Sequence, residues 1–153
     1  MTKAEPQKEH QWLQKLVGEW VGESTEPGQS PWTETGRSLD GIWVVIEGQG
    51  EMPGGGAATT IMTLGYDPQR KRYVGTFVGS MMTHLWVYDD GSLDGNVLTL
   101  HAEGPDFSGQ EKLVKYRDVI EFESDDHRTL TAYKLDDDGE WREFMKATYR
   151  RKQ

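Results

Sequence analysis

Few side chains in this sequence have the types and spacing that chemistry at a protein site requires. The four histidines are far apart, and no two have the i, i+2 or i, i+4 spacing typical of a metal site: His10, His84, His101 and His127. The chain contains no cysteine, which excludes thiolate nucleophiles, disulfides and sulfur ligands for a metal. We therefore expect no bound metal and no cofactor.

Catalytic motifs are also missing. Ser80 lacks the flanking glycines of a Gly-x-Ser-x-Gly elbow, and no general base stands out beside it. The acidic run at 136–140 lacks the spacing of a calcium-binding loop, and residues 53–56 lack the Lys-Ser/Thr of a phosphate-binding loop. We interpret both segments as turns, and the sequence does not favour an enzyme.

The composition narrows the range of partners. The chain has 153 residues, with 17 Lys+Arg against 26 Asp+Glu, which gives a formal net charge of −9. Nucleic acid and anionic membranes both require a positive surface, so neither is an expected partner. No apolar run approaches the roughly 20 residues of a membrane span, and the first residues are polar. We expect a cytoplasmic protein with a single domain at 1–153.

The elements that must position any site are almost all strands. A helix is predicted over about 4–17, where Trp12, Leu13, Leu16 and Val17 share one face before Gly18 ends it. The rest consists of runs rich in Val, Thr, Trp and Tyr, separated by turn residues at the spacing typical of a sandwich or barrel. Ten strands are predicted, near 18–25, 32–39, 42–51, 57–66, 71–79, 83–93, 97–104, 113–123, 127–135 and 140–150.

The connections between these strands alternate between compact turns and looser loops. In an up-and-down antiparallel barrel successive turns lie at opposite ends, so the compact turns gather at one end and the loose loops form a mouth at the other. The helix closes the compact end of a barrel that spans about 18–150. We expect Gly18 and Trp20 to plug that end, with Trp20 packed against the last strand near Tyr149 or Arg150.

The segment from the helix into the first strand resembles known families. A Gly-x-Trp directly after a short helix is similar to the start of the lipocalin and fatty-acid-binding (calycin-like) superfamily. Further motifs are Glu9-His10-x-x-Leu13-x-x-Leu16-Val17-Gly18-Glu19-Trp20, Leu64-Gly65-Tyr66-Asp67, Tyr73-Val74-Gly75-Thr76-Phe77, Ser80-Met81 and Thr148-Tyr149-Arg150-Arg151-Lys152. With them the chain resembles more closely an uncharacterised bacterial lipocalin-like family, domain of unknown function fifteen-seventy-nine. The resemblance implies the barrel but no activity.

Candidate ligand contacts lie on the predicted wall and mouth of the barrel. The wall candidates are Trp43, Tyr66, Phe77, Trp86, Tyr133 and Met145. Ser80 offers a polar contact at the mouth, and Met81 and Met82 suit a flexible apolar portal, although core filling explains them equally well. His84 shares a strand face with Trp86, either as a satisfied structural histidine or as a pocket contact.

Arg117 has two interpretations that depend on which face of its strand points inward. If Tyr116, Asp118 and Ile120 face the lumen, Arg117 lies in solvent. If the opposite face points inward, its guanidinium could hold a ligand carboxylate inside the barrel. Fatty-acid-binding barrels use that second arrangement, and the sequence leaves both open.

Two classes of function remain. In the first, the barrel binds a small apolar or amphipathic molecule in its interior, as a carrier or sensor. In the second, the lumen is filled and the protein is a structural or self-associating interaction domain. The strand at 42–46 is apolar on both faces, which predicts a covered exterior and a homodimer.

Overall fold

A computed structural model describes residues 1–153 as one helix followed by ten strands. The helix α1 spans Lys8–Leu13 and continues into a short 3-10 turn at Gln14–Leu16. It falls far short of the length and apolar character that a bilayer-crossing helix requires. The strands are β1 Gly18–Ser24, β2 Trp32–Leu39, β3 Trp43–Glu51, β4 Ala57–Asp67, β5 Arg72–Gly79, β6 Trp86–Asp94, β7 Val97–Pro105, β8 Leu113–Ser124, β9 His127–Leu135 and β10 Trp141–Arg151.

The ten strands form a closed, up-and-down antiparallel barrel. Each strand pairs with its neighbours in sequence, and β1 closes the barrel against β10 in a register that runs from Trp20 opposite Arg151 to Ser24 opposite Ala147. The predicted all-β barrel is confirmed, and every predicted strand boundary lies within three residues of the observed one.

The helix is shorter than the sequence predicts, because its first turn begins at Lys8 rather than near residue 4. The backbone N–H of Gln7 donates to Nδ1 of His10 at 3.0 Å, which satisfies one of the amide groups that a helix start leaves free. The other ring nitrogen of His10 bonds the carbonyl oxygen of Tyr66 at 3.1 Å and ties the helix to β4. Pro6 lies before the start of the helix.

The helix closes one end of the barrel. Leu13 and Leu16 are fully buried, and the Trp12 ring lies edge-on to Phe122 with centroids 5.6 Å apart. Trp20 follows at the start of β1, where only 1% of its surface is exposed and its indole N–H donates to the carbonyl oxygen of Leu16 at 3.2 Å. The compact end is thus filled by apolar side chains.

Alternation along the strands separates lumen from exterior. On β8 the side chains of Tyr116, Ile120 and Phe122 are buried, and Asp118 shares their face. Arg117 lies on the opposite, outer face. This observation decides between the two interpretations of Arg117 in favour of the exterior.

Candidate functional site

A cavity of about 240 Å³ occupies the loose-loop half of the barrel. Its wall comes from β4 to β10 together with one residue from each of the loops β5–β6 and β7–β8. Twelve of its thirteen lining residues are hydrophobic. They are Met62, Phe77, Met82, Trp86, Tyr88, Ala102, Phe107, Tyr116, Leu130, Ala132, Phe144 and Met145, with Asp118 as the thirteenth.

Trp86 forms one side of this cavity because its neighbour on β7 is a glycine. A Cβ atom at Gly104 would lie 2.3 Å from Cζ3 of the indole, so any larger residue there would displace the ring. The indole N–H donates to Sδ of Met82 at 3.2 Å, and the ring lies edge-on to Tyr116 at 5.1 Å. Met82 is thereby held over the cavity.

Two phenylalanines mark where the cavity reaches the surface. Phe107 and Phe144 both line it, yet 65% and 46% of their respective surfaces are exposed. The register of β10 against β9 shifts between Glu143 and Met145, and this bulge allows Phe144 and Met145 to contribute to the same cavity. The mouth therefore lies between the β7–β8 loop and β10.

The β7–β8 loop is held in place by a buried carboxylate. Asp106 accepts a hydrogen bond from Nζ of Lys134 at 2.8 Å and another from the backbone N–H of Ser108 at 3.0 Å. These two hydrogen bonds, that of Lys134 first, lower the pKa of Asp106 to about 2. The Tyr116 hydroxyl donates to the carbonyl oxygen of Pro105 at 2.5 Å. Together these contacts position Phe107 at the mouth.

One carboxyl group faces the otherwise apolar cavity. Asp118 is enclosed by the barrel, and part of its surface is exposed to the cavity. The Tyr88 hydroxyl donates to its Oδ2 at 2.5 Å. Burial raises the pKa of Asp118 to about 6, although the Tyr88 hydrogen bond acts in the opposite direction. Burial and then the Asp118 charge raise the pKa of Tyr88 well above its ordinary value.

A second, smaller cavity of about 170 Å³ lies toward the closed end and shares Met62, Phe77, Leu130 and Met145 with the first. Its charged groups are paired, because Nη2 of Arg128 donates to Oε1 of Glu34 at 2.6 Å. The Arg128 guanidinium also stacks between the rings of Trp20 and Tyr149, 4.6 and 4.3 Å from their centroids. The charges of Arg128 and Glu34 in this smaller cavity therefore compensate each other within the chain.

The structure places four of the predicted ligand contacts in the larger cavity. Phe77, Trp86 and Met145 form part of its wall, and Met82 reaches it from the β5–β6 loop. The structure contains no cluster of three or more His, Asp or Glu residues arranged to hold a metal.

Two wall candidates, Trp43 and Tyr133, point outward, so their predicted inward placement is wrong; Arg117 also lies outside, which is one of its two interpretations. Trp43 lies on the outer face of β3. Its indole ring covers Gly65, where a Cβ would lie 2.4 Å from the ring. Arg117 stacks between Tyr133 and Trp141 on the exterior, with Cζ 4.8 and 4.6 Å from the two ring centroids. The physical reason is strand alternation, which turns all three side chains away from the lumen.

The remaining candidates hold local structure. The Ser80 hydroxyl oxygen accepts the backbone N–H of Thr59 at 2.9 Å. His84 bonds the carbonyl oxygen of Glu103 at 3.0 Å through Nε2, as a structural histidine does. Met81 lies in a groove at the mouth that shares Met82, Trp86 and Phe107 with the larger cavity, and its sulfur would lie 2.4 Å from a Cβ at Gly79. Tyr66 packs at the closed end, with its ring centroid 4.9 Å from that of Tyr73, and so does not line the cavity.

One residue of the predicted plug at the closed end of the barrel was assigned wrongly. Trp20, Gly18 and Tyr149 lie at the closed end, but Arg150 pairs with Val21 and is exposed. Arg151 takes the inner position, with Cζ 4.2 Å from the Trp20 ring centroid and Nη1 donating to the carbonyl oxygen of Val17 at 2.7 Å. The placement of Arg150 is wrong because β10 continues through Arg151, which puts alternate residues inside.

Sequence reasoning did not single out Asp118, Tyr88 or the two mouth phenylalanines as ligand contacts. Asp118 belongs to the alternating run Tyr116-x-Asp118-x-Ile120-x-Phe122, and that period of two was the available signal for an inward carboxylate. Phe107 and Phe144 lie in a loop and at a bulge, where no periodicity indicates direction. Only the packed barrel brings these residues to one cavity.

Solved structures share this architecture at low sequence identity. The crystal structure of Rv2717c from M. tuberculosis is 14% identical with a TM-score of 0.58, covering 97% of this chain and 100% of that one. A redesigned β-barrel, b11L5F_LGL, is 12% identical with a TM-score of 0.50 and coverages of 94% and 96%. EF1p2_mFAP2b bound to DFHBI is 13% identical with a TM-score of 0.49 and coverages of 94% and 98%. The first two likenesses show the barrel fold.

Family membership follows from the sequence. No curated protein matches the chain. A family model described as "Protein of unknown function (DUF1579)" matches residues 5–151, which is nearly the whole chain and confirms the predicted resemblance. The chain belongs to the DUF1579 family.

Proposed function

We propose that this protein binds a small, largely apolar molecule in the larger cavity. The observation that carries the proposal is the cavity itself, with about 240 Å³ of space and twelve hydrophobic residues among its thirteen. Sites for small molecules are concave, mostly apolar and supplied with few polar groups. The surface-exposed Phe107 and Phe144 at its edge provide a route of entry.

The size of the cavity limits the ligand. Dry apolar cavities of about 150 Å³ accommodate one benzene ring. A cavity of about 240 Å³ therefore suits one substituted ring or two fused rings. A long acyl chain exceeds this space, and the lumen beyond it narrows toward the paired Arg128 and Glu34.

Titration with 1-methylnaphthalene, followed by the NMR shifts of cavity residues, tests the proposal. We expect saturable binding that perturbs Phe77, Trp86 and Met145. Ala102→Leu should weaken binding by about tenfold or more because it fills the cavity, whereas Ala57→Leu makes the same change at an exposed position and should have no effect. A folded wild type that binds no probe up to its aqueous solubility would support the filled-barrel alternative.

A second proposal concerns the exterior. Ile61 pairs with Val78, and Thr76 pairs with Val87, on the outer face of β4 to β6. The three apolar members, Ile61, Val78 and Val87, which we call the outer apolar patch, are each 38–47% exposed, and Glu47 on β3 pairs with Ile61 at the edge of the patch. We propose that a second copy of the chain covers this patch, since identical uncharged surfaces can meet without opposing the acidic groups elsewhere on two chains of net charge −9.

A further inference from the structure

Asp118 is a charged group without a counter-charge. Its single hydrogen bond in the structure comes from the Tyr88 hydroxyl to Oδ2, and Oδ1 receives none from the chain. No lysine, arginine or histidine forms a salt bridge with it, although salt bridges occur at nine other pairs of atoms. The carboxyl group instead faces the cavity.

The other charged groups on the inner face are paired. Arg128 binds Glu34 at 2.6 Å, and Lys134 binds Asp106 at 2.8 Å. Charges enclosed by a protein are normally paired, because an isolated ion in apolar surroundings loses its hydration without compensation. Asp118 is the exception, and the missing partner would have to occupy the cavity.

The position of Asp118 within the cavity makes it a specific contact. Its neighbours across the sheet are Leu100 on β7 and Ala132 on β9, neither of which carries a charge or a side-chain donor. The only other titratable groups that line the cavity are the phenols of Tyr88 and Tyr116, and Tyr116 donates to the carbonyl oxygen of Pro105. Asp118 is therefore the one acidic acceptor in the lining, and its Oδ1 receives no hydrogen bond from the chain.

We infer that the cavity selects a small apolar molecule that carries a protonated amine, whose N–H groups donate to Asp118. This inference rests on the proposed function and names its ligand class. Anionic molecules are disfavoured because their charge would face the same carboxylate, and Arg117, the candidate anchor for a ligand carboxylate, lies outside. The net charge of −9 also attracts cations toward the protein.

Four probes with one ring system test this selectivity at pH 7.5: 1-naphthylmethylamine, 1-naphthylmethanol, 1-naphthoate and 1-methylnaphthalene. They differ in the polar group and share the apolar ring. We expect the amine to bind about 10- to 100-fold more tightly than 1-methylnaphthalene, as a charge-assisted hydrogen bond allows. The alcohol should bind with intermediate affinity, and 1-naphthoate more weakly than 1-methylnaphthalene.

Asp118→Asn should remove the preference for the amine, so that the amine no longer binds more tightly than 1-methylnaphthalene. Asp89→Asn removes the same charge from an exposed position on β6 and should leave all four affinities unchanged. Binding of 1-methylnaphthalene to Asp118→Asn also shows that the variant is folded and its cavity intact.

The outcomes separate the inference from the proposed function. If the amine binds no better than 1-methylnaphthalene, or keeps its preference in Asp118→Asn, the amine selectivity is wrong although the cavity still binds apolar molecules. If the alcohol binds most tightly, a neutral donor replaces the cation and the inference is overturned. If none of the four probes binds to the folded wild type, the proposed function itself fails.

Discussion

At the scale of single residues, Asp118 makes the stability of the fold depend on pH. Its pKa of about 6 in the folded chain exceeds its ordinary value of 3.8. The folded state therefore binds more protons than the unfolded state between these values, and this group makes folding less favourable as pH rises from about 4 to 6. Above pH 6 the unpaired carboxylate lowers stability by its full amount.

Asp118→Asn should relieve this cost. We expect the free energy of unfolding of the variant, relative to the wild type, to increase by about 2–3 kcal/mol between pH 4 and pH 8, since each pKa unit corresponds to about 1.4 kcal/mol. Urea unfolding at the two pH values measures this difference, with Asp89→Asn as the control for loss of an exposed charge. A difference that does not change with pH would show that Asp118 has an ordinary pKa.

Trp20 should contribute more to stability than any exposed tryptophan. It is 1% exposed and has Arg128 and Arg151 on its ring, at 4.6 and 4.2 Å. Trp20→Ala should cost about 3–5 kcal/mol, the usual range for such a change in a core. Trp43→Ala, at a side chain that is 40% exposed, should cost clearly less. Equal denaturation midpoints for the two variants would contradict the plug role.

Which way a side chain points was only partly predictable. Tyr116, Asp118 and Ile120 alternate, but the neighbouring Arg117 also suited a lumen, so hydrophobicity alone left two orientations open. Trp43 lies in a strand that is apolar on both faces, where a period of two carries no information. Its predicted inward placement was wrong because the indole packs on the exterior against Gly65, which has no side chain to displace it. This contact joins residues that are distant in sequence, so the sequence pattern did not reveal it.

At the scale of elements, the strands were predictable because turn residues separate them. Asp40 and Gly41 both have positive φ, at 54° and 77°, as the tight turn between β2 and β3 requires. The start of β6 differs most, at residue 86 against an expected 83, because no turn residue marks the segment before it. That segment is held by long-range hydrogen bonds, such as the one between His84 and Glu103.

The β7–β8 loop should depend on the Asp106 carboxylate. Because the pKa of Asp106 is lowered to about 2 from 3.8, its contribution to stability is complete above pH 4 and disappears as pH falls toward 2. Asp106→Asn should lower the thermal midpoint at pH 7, with the difference from the wild type shrinking below pH 4. Amide hydrogen exchange at Ser108 should rise in the variant while the β8–β9 turn at the opposite end stays unchanged. Unaltered exchange at Ser108 would show that the loop is held by other contacts.

At the scale of the whole molecule, the barrel divides into a filled end and an open end. The meander order and the alternation of tight and loose connections make this division predictable, and the structure agrees with it. The cavity was not predictable in its position or volume, because its wall combines side chains from seven strands and two loops. Such a space depends on the summed packing of residues that are distant in sequence.

Self-association should depend on the outer apolar patch. We expect sedimentation of the wild type at micromolar concentration and physiological salt to show a dimer, since charge repulsion is screened beyond roughly 8 Å. Val78→Lys should give a monomer by placing charges within the interface, whereas Thr99→Lys adds the same charge to the outer face of β7 and should not. A monomeric wild type, or a dimer that persists in Val78→Lys, would exclude this surface.

The central claim, that the open end of the barrel binds a small apolar molecule, is tested most directly by a crystal structure of the protein with 1-naphthylmethylamine. The ring should lie against Phe77, Trp86 and Met145, with the amine nitrogen about 2.8 Å from Oδ1 of Asp118. A vacant cavity in crystals grown at saturating probe, or a probe bound only on the outer surface, would contradict the claim.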